Sequence, residues 1–379
     1  MINVYISVTN DIVTDRRVSK IAFSLHKSGA NVSIIGRKLK DSLPLPKMPY
    51  KLRRFKLLFN KGPVFYVEFN IRLFFYLSFK KVDVLVANDL DTLLANFLVS
   101  KIRKKQLVYD SHEYFTEVPE LVGRDFVKKI WTKLEGKILP GIKYSYTVCD
   151  SIANNYSDIY GISMHVIRNY SSCNTTYSGE KVNIRQRDEG IIIYQGVVNL
   201  GRGLELAIQA MKFVDNAKLI IIGDGDIKDK LKQLVSKSDL DDKVQFIERM
   251  PYEELMSYTI QADLGISLEE NLGLNYYYAL PNKLFDYIHA GIPVLVSDFP
   301  EMAKIVKEYD VGLTTKTSDP EELADLFVEM ISNKEKRNIW KQNTKSASKE
   351  LCWENEEKKL LAIYSEVIGQ LTKNISLKE

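Results

Sequence analysis

The sequence has little of what commonly announces a metal or redox site. Three cysteines, Cys149, Cys173 and Cys352, are scattered over 379 residues without a CxxC pair. That spacing predicts neither a disulfide framework nor a zinc site. Four histidines are too few for a histidine-rich metal centre. No apolar run approaches the roughly 18 residues that span a bilayer. The opening MINVYISV reads as a strand and has no basic start, apolar segment or small-residue cleavage site. It predicts no signal peptide and a cytoplasmic location. A net charge of +4 is too mild to argue for nucleic acid. G-x-G-x-x-G and G-x-S-x-G are both missing, which removes the dinucleotide fingerprint and the serine-hydrolase elbow.

What is present is ordinary globular composition, 45% hydrophobic and 27% charged, over a length suited to two domains. Short apolar runs alternate with helical patterns. In the first half, strands are expected at 2–8, 31–36, 82–89, 106–113, 144–150 and 164–170, with helices at 15–29, 90–100 and 151–161. The polar stretch 171–190 reads as a linker. The alternation then restarts, with strands at 191–196, 217–225, 244–250, 262–268, 293–298 and 311–315. Helices are expected near 203–213, 226–238, 252–261, 282–290, 300–308 and 319–333, then a helical block over 334–371. This order predicts α/β architecture with two parallel, doubly wound sheets and a ligand cleft at the carboxyl ends of the strands. The expected divisions are 1–170, 171–350 and a closing helix in 351–379 that contains Trp353.

The stretch 47–81 carries nine Lys or Arg against one acid, Glu68, interleaved with Phe and Tyr. Two readings stand. One is a membrane-surface patch. The other is a core strand and helix with basic ends, in which Phe74, Phe75 and Phe79 face the core by helical spacing.

Four segments could carry chemistry. In IIIYQGVVNLGRGLELAIQAM a strand ends at Gly196, and a loop with Gly201, Arg202 and Gly203 leads into a helix. Glycine permits close backbone approach, and a helix N-terminus with an arginine suits phosphate. An ordinary glycine-rich turn has the same letters. In IIGDGD, Asp224 and Asp226 share the D-x-D spacing of Asp89 and Asp91; caps or turn residues are the stronger reading of both pairs over a metal site. In PNKLFDYIHAGIPVLVSDFP, Lys283 sits on the first turn of a helix, against the macrodipole, as if an anion lay there. Asp286, one turn on, has the chemistry to hold vicinal hydroxyls; a solvated helix face explains it equally. In VYDSHEYFTEVPE, Asp110, His112 and Glu113 cluster at a strand end, where α/β sites lie.

In chain order, YDSHE, YQG…GRGLELAIQAM, IIGDGD and PNKLFDYIHAGIPVLVSDFPEM resemble the retaining GT-B glycosyltransferases of family 4, the glycosyl transferases group 1. The resemblance covers nearly the whole chain. It implies two Rossmann-like domains facing across a cleft, with the last helix crossing back to the first. It places the acceptor on the N-terminal domain and a nucleotide sugar on the C-terminal one. It assigns the diphosphate to Arg202 and Gly203, with Gly196, Gly201 and Asp224 around the donor. A second basic residue would fall on Val197, which leaves Lys283 beside Asn282 and Leu284 as the second phosphate contact. Asp286 falls on the ribose-holding acid and Glu269 or Glu270 on the acid that meets the sugar. His112 falls on the active-site histidine. Asn10, Asp15 and Arg16 replace the usual glycine-rich loop, with Asp89, Asp110 and Glu113 nearby on the acceptor side.

The implied reaction is a retaining, metal-independent transfer from a UDP- or GDP-sugar to a saccharide or lipid-linked saccharide, as in surface polysaccharide assembly. No cofactor, metal or nucleic acid is required. The implied location is cytoplasmic, or peripheral at the inner membrane face. Two alternatives keep the fold: a nucleotide-sugar 2-epimerase, and a non-catalytic nucleotide-sugar-binding protein.

Overall fold

A computed structural model describes all residues except 14, 41, 119, 120, 122, 174–183, 185–188 and 377–379. Most of the expected linker therefore lies outside the described residues. The chain divides into two compact units, Met1–Asn169 with Asn355–Glu379, and Tyr170–Glu354.

The first unit holds β1 (Asn3–Ser7), α1 (Arg16–Lys27), β2 (Asn31–Arg37), β3 (Lys51–Phe55), α2 (Gly62–Ser78), β4 (Val84–Asn88), α3 (Leu90–Arg103), β5 (Gln106–Ser111), α4 (Asp125–Ile138), β6 (Tyr144–Thr147), α5 (Asp150–Tyr160) and β7 (His165–Val166). Its seven strands pair in parallel in the order β3-β2-β1-β4-β5-β6-β7. A strand covered by helices on both faces must be apolar throughout. Accordingly the first four residues of β4, VLVA, are apolar and all buried, and only Asn88 at its carboxyl end is polar.

The second unit holds β8 (Gly190–Gln195), α6 (Leu204–Ala210), β9 (Ala217–Ile222), α7 (Lys228–Lys237), β10 (Val244–Ile247), α8 (Tyr252–Thr259), β11 (Leu264–Ser267), α9 (Leu274–Tyr277), α10 (Asn282–Ala290), β12 (Val294–Ser297), α11 (Pro300–Tyr309), β13 (Gly312–Thr315), α12 (Pro320–Ser332) and α13 (Lys334–Glu350). Its six strands are also parallel, in the order β10-β9-β8-β11-β12-β13. The order reverses beside β8 and β11, the kind of switch point where α/β sheets bind ligands. Helix α14 (Trp353–Ser376) then returns the chain to the first unit. There Glu356 accepts from the Arg168 N–H at 2.8 Å, and the Tyr364 and Tyr146 hydroxyls are 3.4 Å apart.

Four expectations are corrected. The 47–81 stretch contains strand β3 and helix α2, and the core stripe of α2 is Phe65, Phe69, Leu73 and Leu77. Phe75 and Phe79 point outward instead. Helix α4 carries no expected element, because exposed lysines and apolar residues intermix along it. The block 334–371 is two helices, broken at Leu351 and Cys352. Finally, Cys173 and Cys352 form a disulfide across 179 positions. Sequence spacing reads local pairs only; the fold alone brings these two ends of the second unit together.

Candidate active site

At the carboxyl-end side of its sheet the second unit brings Arg202, Glu269 and Lys283 together. Glu269, just beyond β11, is the centre. Its Oε1 lies 3.0 Å from Lys283 Nζ on the first turn of α10 and 3.7 Å from an Arg202 guanidinium nitrogen. Its Oε2 accepts from the Ser267 hydroxyl at 2.8 Å, and its backbone carbonyl accepts from the Ser297 hydroxyl at 2.7 Å. Burial alone would raise the pKa of this carboxyl, but Lys283, Arg202 and the Ser267 hydroxyl hold it below the ordinary carboxylate range. The lysine that runs against the dipole of α10 thus has its anion inside the protein: Glu269.

Two aromatic rings complete the arrangement. Lys283 Nζ stands 4.1 Å from the centre of the Tyr194 ring, and the Arg202 guanidinium 5.0 Å from that of Tyr276. Tyr276 in turn donates its hydroxyl to the Leu200 carbonyl at 3.1 Å. The backbone is equally tight. Gly203 has φ +65°, and a Cβ there would overlap the Leu268 carbonyl oxygen. Gly223, at φ +152°, meets the Gly196 carbonyl oxygen in the same way. Only glycine permits these approaches. Helix α10 begins after Pro281 without a side-chain cap.

The other expected residues of this unit scatter in role. Asn282 is exposed at the start of α10, and Gly201 is buried and accepts from the Glu270 N–H at 2.9 Å. Glu270 is exposed; partial burial and the Glu205 charge raise its pKa. The Asp224 carboxylate accepts from the Gly225 N–H at 2.9 Å, and the Asp226 N–H donates to Asn199 at 3.0 Å. This pair is turn chemistry. Leu284 is fully buried in the apolar core. Asp286, which the resemblance assigns to the ribose, has partners within the unit. Its carboxylate is buried and accepts from Ser171 at 2.7 Å, Tyr252 at 2.8 Å and Gln195 at 3.1 Å. These bonds point it into the protein, and they tie α10 to α8 and β8.

The first unit has its own charged cluster, at the ends of β1, β4 and β5. His112 Nε2 lies 3.1 Å from both Asn88 Oδ1 and Asp110 Oδ2. The His112 backbone N–H donates to Asp89 Oδ1 at 2.7 Å, and Nδ1 lies 3.6 Å from Asp89 Oδ2. Burial would lower the imidazole pKa, but Asp110 and Asp89 raise it to about 9. Asp89 and Asp91 are each pushed up to about 7, chiefly by burial. Asp91 accepts from the Thr9 hydroxyl. Asp89 occupies the N-cap position of α3 but does not cap it, and its backbone sits at φ 58°, ψ 168°. A non-glycine residue there is strained, and such strain concentrates at functional sites.

Asp110 is fully buried and paired to Arg17 at 2.8 Å; Arg17 also donates to the Ile167 carbonyl at 2.8 Å. The expected residue, Arg16, is exposed, and its neighbour Arg17 is the buried one. The helical period of α1, which buries Arg17, Val18, Ile21 and Leu25 together, is the signal that separates them. Asp15 caps α1, accepting from the Val18 N–H at 3.0 Å. Asn10 is exposed, with its carbonyl accepting from the Arg37 N–H at 3.1 Å; Glu113 is exposed beside His112.

Residues 180–347 match the family model Glycosyl transferases group 1. The group 1 segment lies wholly in the second unit and contains Arg202, Glu269 and Lys283. An uncharacterized glycosyltransferase of Methanocaldococcus jannaschii is 28% identical over 204 residues, 49% of this chain and 48% of that protein. The chain spans about half the length of the curated relatives it matches. Among solved structures, sucrose-phosphate synthase from Thermosynechococcus elongatus superposes with a TM-score of 0.79 at 16% identity, over 98% of this chain and 100% of that one. Anabaena HepE in complex with UDP-glucose gives 0.74 at 13% identity, over 97% and 100%. The fold is GT-B, as the resemblance implies.

Proposed function

We propose that this protein is a retaining, metal-independent glycosyltransferase of family 4. Its second unit would hold a nucleoside diphosphate sugar and its first unit the acceptor. The observation that carries this reading is the Arg202–Glu269–Lys283 cluster at the end of β11, inside the group 1 segment.

In such a transfer the bond between the sugar C1 and the diphosphate oxygen breaks, and its electron pair stays on the phosphate. The acceptor oxygen forms the new bond to C1 on the same face. Its proton passes to the departing phosphate oxygen. The charge that develops is on the diphosphate, where two preplaced cations stabilise it. Glu269 is a positioning residue here: it holds Arg202 and Lys283 near one point before any ligand arrives. His112, with its raised pKa, is a hydrogen-bond donor suited to a sugar hydroxyl.

A uridine donor is the first to test, because HepE carries UDP-glucose in its complex; a GDP-sugar is the other. The acceptor would be a saccharide or lipid-linked saccharide of surface glycan assembly. Calorimetric titration with UDP, GDP, uridine and guanosine tests the site. Arg202→Ala and Lys283→Ala should each weaken diphosphate binding by about tenfold or more while leaving nucleoside binding alone. Equal losses for nucleoside and diphosphate would sink the assignment. Diphosphate binding without sugar transfer would favour the non-catalytic alternative.

A further inference from the structure

Helices α2, α3 and α4 form one layer on one face of the first sheet. Their crossovers β3→β4, β4→β5 and β5→β6 all run the same way across it, and right-handed connections then put all three helices on the same side. Direct contacts agree. Asn70 of α2 donates to the Asp91 carbonyl of α3 at 2.7 Å, Arg103 of α3 donates to the Leu77 carbonyl of α2 at 2.9 Å, and Tyr66 of α2 meets Trp131 of α4 edge to face at 5.2 Å.

The outer side of this layer is apolar where a solvated face would be polar. On α2, Phe65, Phe69, Leu73 and Leu77 face inward, yet the outward stripe is Val64, Val67, Ile71 and Phe75, each 51–57% exposed. Phe79 continues it at 84%. A helix apolar on both faces needs a second apolar environment. The neighbours extend the patch: Leu94, Leu98 and Ile102 on α3, Phe126 and Ile130 on α4.

Cations accompany it. Lys129, Lys133 and Lys137 form an exposed line on α4, one turn apart, and a shallow depression there is lined by Asp125, Lys128, Lys129, Thr132 and Lys133. By contrast several basic residues of 47–81 are engaged inside the unit: Arg54 with Asp11, Arg72 with Glu68, and Arg53 over Tyr76. The surface is therefore broader than 47–81, and α4 supplies its cationic line.

We propose that the outer face of α2, α3 and α4 docks on an anionic lipid bilayer. Exposed large apolar side chains with flanking lysines match the acyl boundary and the anionic headgroups. No helix among the described residues is long and apolar enough to cross a membrane, so the contact is interfacial. A second copy of the chain is the poorer occupant, because a twofold contact would press the same lysines toward one another. The inference does not depend on the transfer reaction.

The test is flotation of the full chain with vesicles of phosphatidylglycerol and phosphatidylcholine, against phosphatidylcholine alone. The chain should float with the mixed vesicles and much less with the neutral ones. Val67→Ser/Ile71→Ser/Phe75→Ser and Lys129→Glu/Lys133→Glu/Lys137→Glu should each lower partitioning by about tenfold or more, the second mimicked by high salt. Both should unfold at wild-type denaturant midpoints, since the substituted positions are outside the core. Failure of the wild-type chain to bind mixed vesicles would overturn the proposal, as would wild-type binding by both variants. So would an apolar variant that merely dissociates a dimer. Nucleotide titration of the same variants reads the second unit separately, so the two proposals can fail apart.

Discussion

Single residues decide the chemistry of both clusters. Glu269 is buried against Lys283 and Arg202, so Glu269→Ala leaves two cations facing each other without their anion. Breaking a buried pair from one side costs about 3 kcal/mol or more. Urea unfolding should show that loss, and Glu269→Gln, which keeps the hydrogen bond to Ser267, should show less. In the first unit the sign runs with pH. His112 has its pKa raised from 6.5 to about 9, so its contribution is fully present below pH 6.5 and is lost as pH rises through about 9. Asp89 and Asp91, raised to about 7, are carboxyls the fold prefers neutral; they too cost stability as pH rises, over the range from 3.8 to about 7. Stability should therefore fall between pH 6 and 9, by on the order of 3 kcal/mol for His112. His112→Gln should flatten the slope above pH 7 in urea unfolding series. An unchanged slope would remove His112 from the account.

At the scale of elements, α2 shows how far a sequence pattern carries. Its aromatic residues are legible, but which of them face the core is not, because apolar letters recur on both sides of the helix. Phe69→Ala should cost about 3–5 kcal/mol, whereas Phe75→Ser should stay within about 0.5 kcal/mol. Thermal or denaturant midpoints of the two variants decide between the stripe seen here and the reverse. Helix α10 was legible in its bounds and in Lys283, yet not in its partners. The acid facing Lys283 comes from a different element, fourteen positions away. For the same reason the bonds of Asp286 to Ser171, Tyr252 and Gln195 are not legible in its own helix, since each partner lies far away in the sequence.

At the scale of the molecule, the Cys173–Cys352 bond encloses nearly all of the second unit. Closing so long a loop restricts the unfolded chain, and by the chain-entropy model its loss costs about 5 kcal/mol. Dithiothreitol, or Cys352→Ser, should lower the melting temperature of the second unit and leave that of the first nearly unchanged. Identical melts with and without reductant would mean that the two thiols are not joined in solution. The parallel alternation, the two sheets and the positions of Arg202, Lys283 and His112 followed from the sequence alone, because hydrophobic period and glycine placement are local properties of a chain. The pairing of Lys283 with Glu269, the burial of Asp110 against Arg17, the disulfide and the apolar outer face of α2 were decided only by tertiary structure. Each depends on which distant side chain arrives opposite, and local pattern holds no record of that.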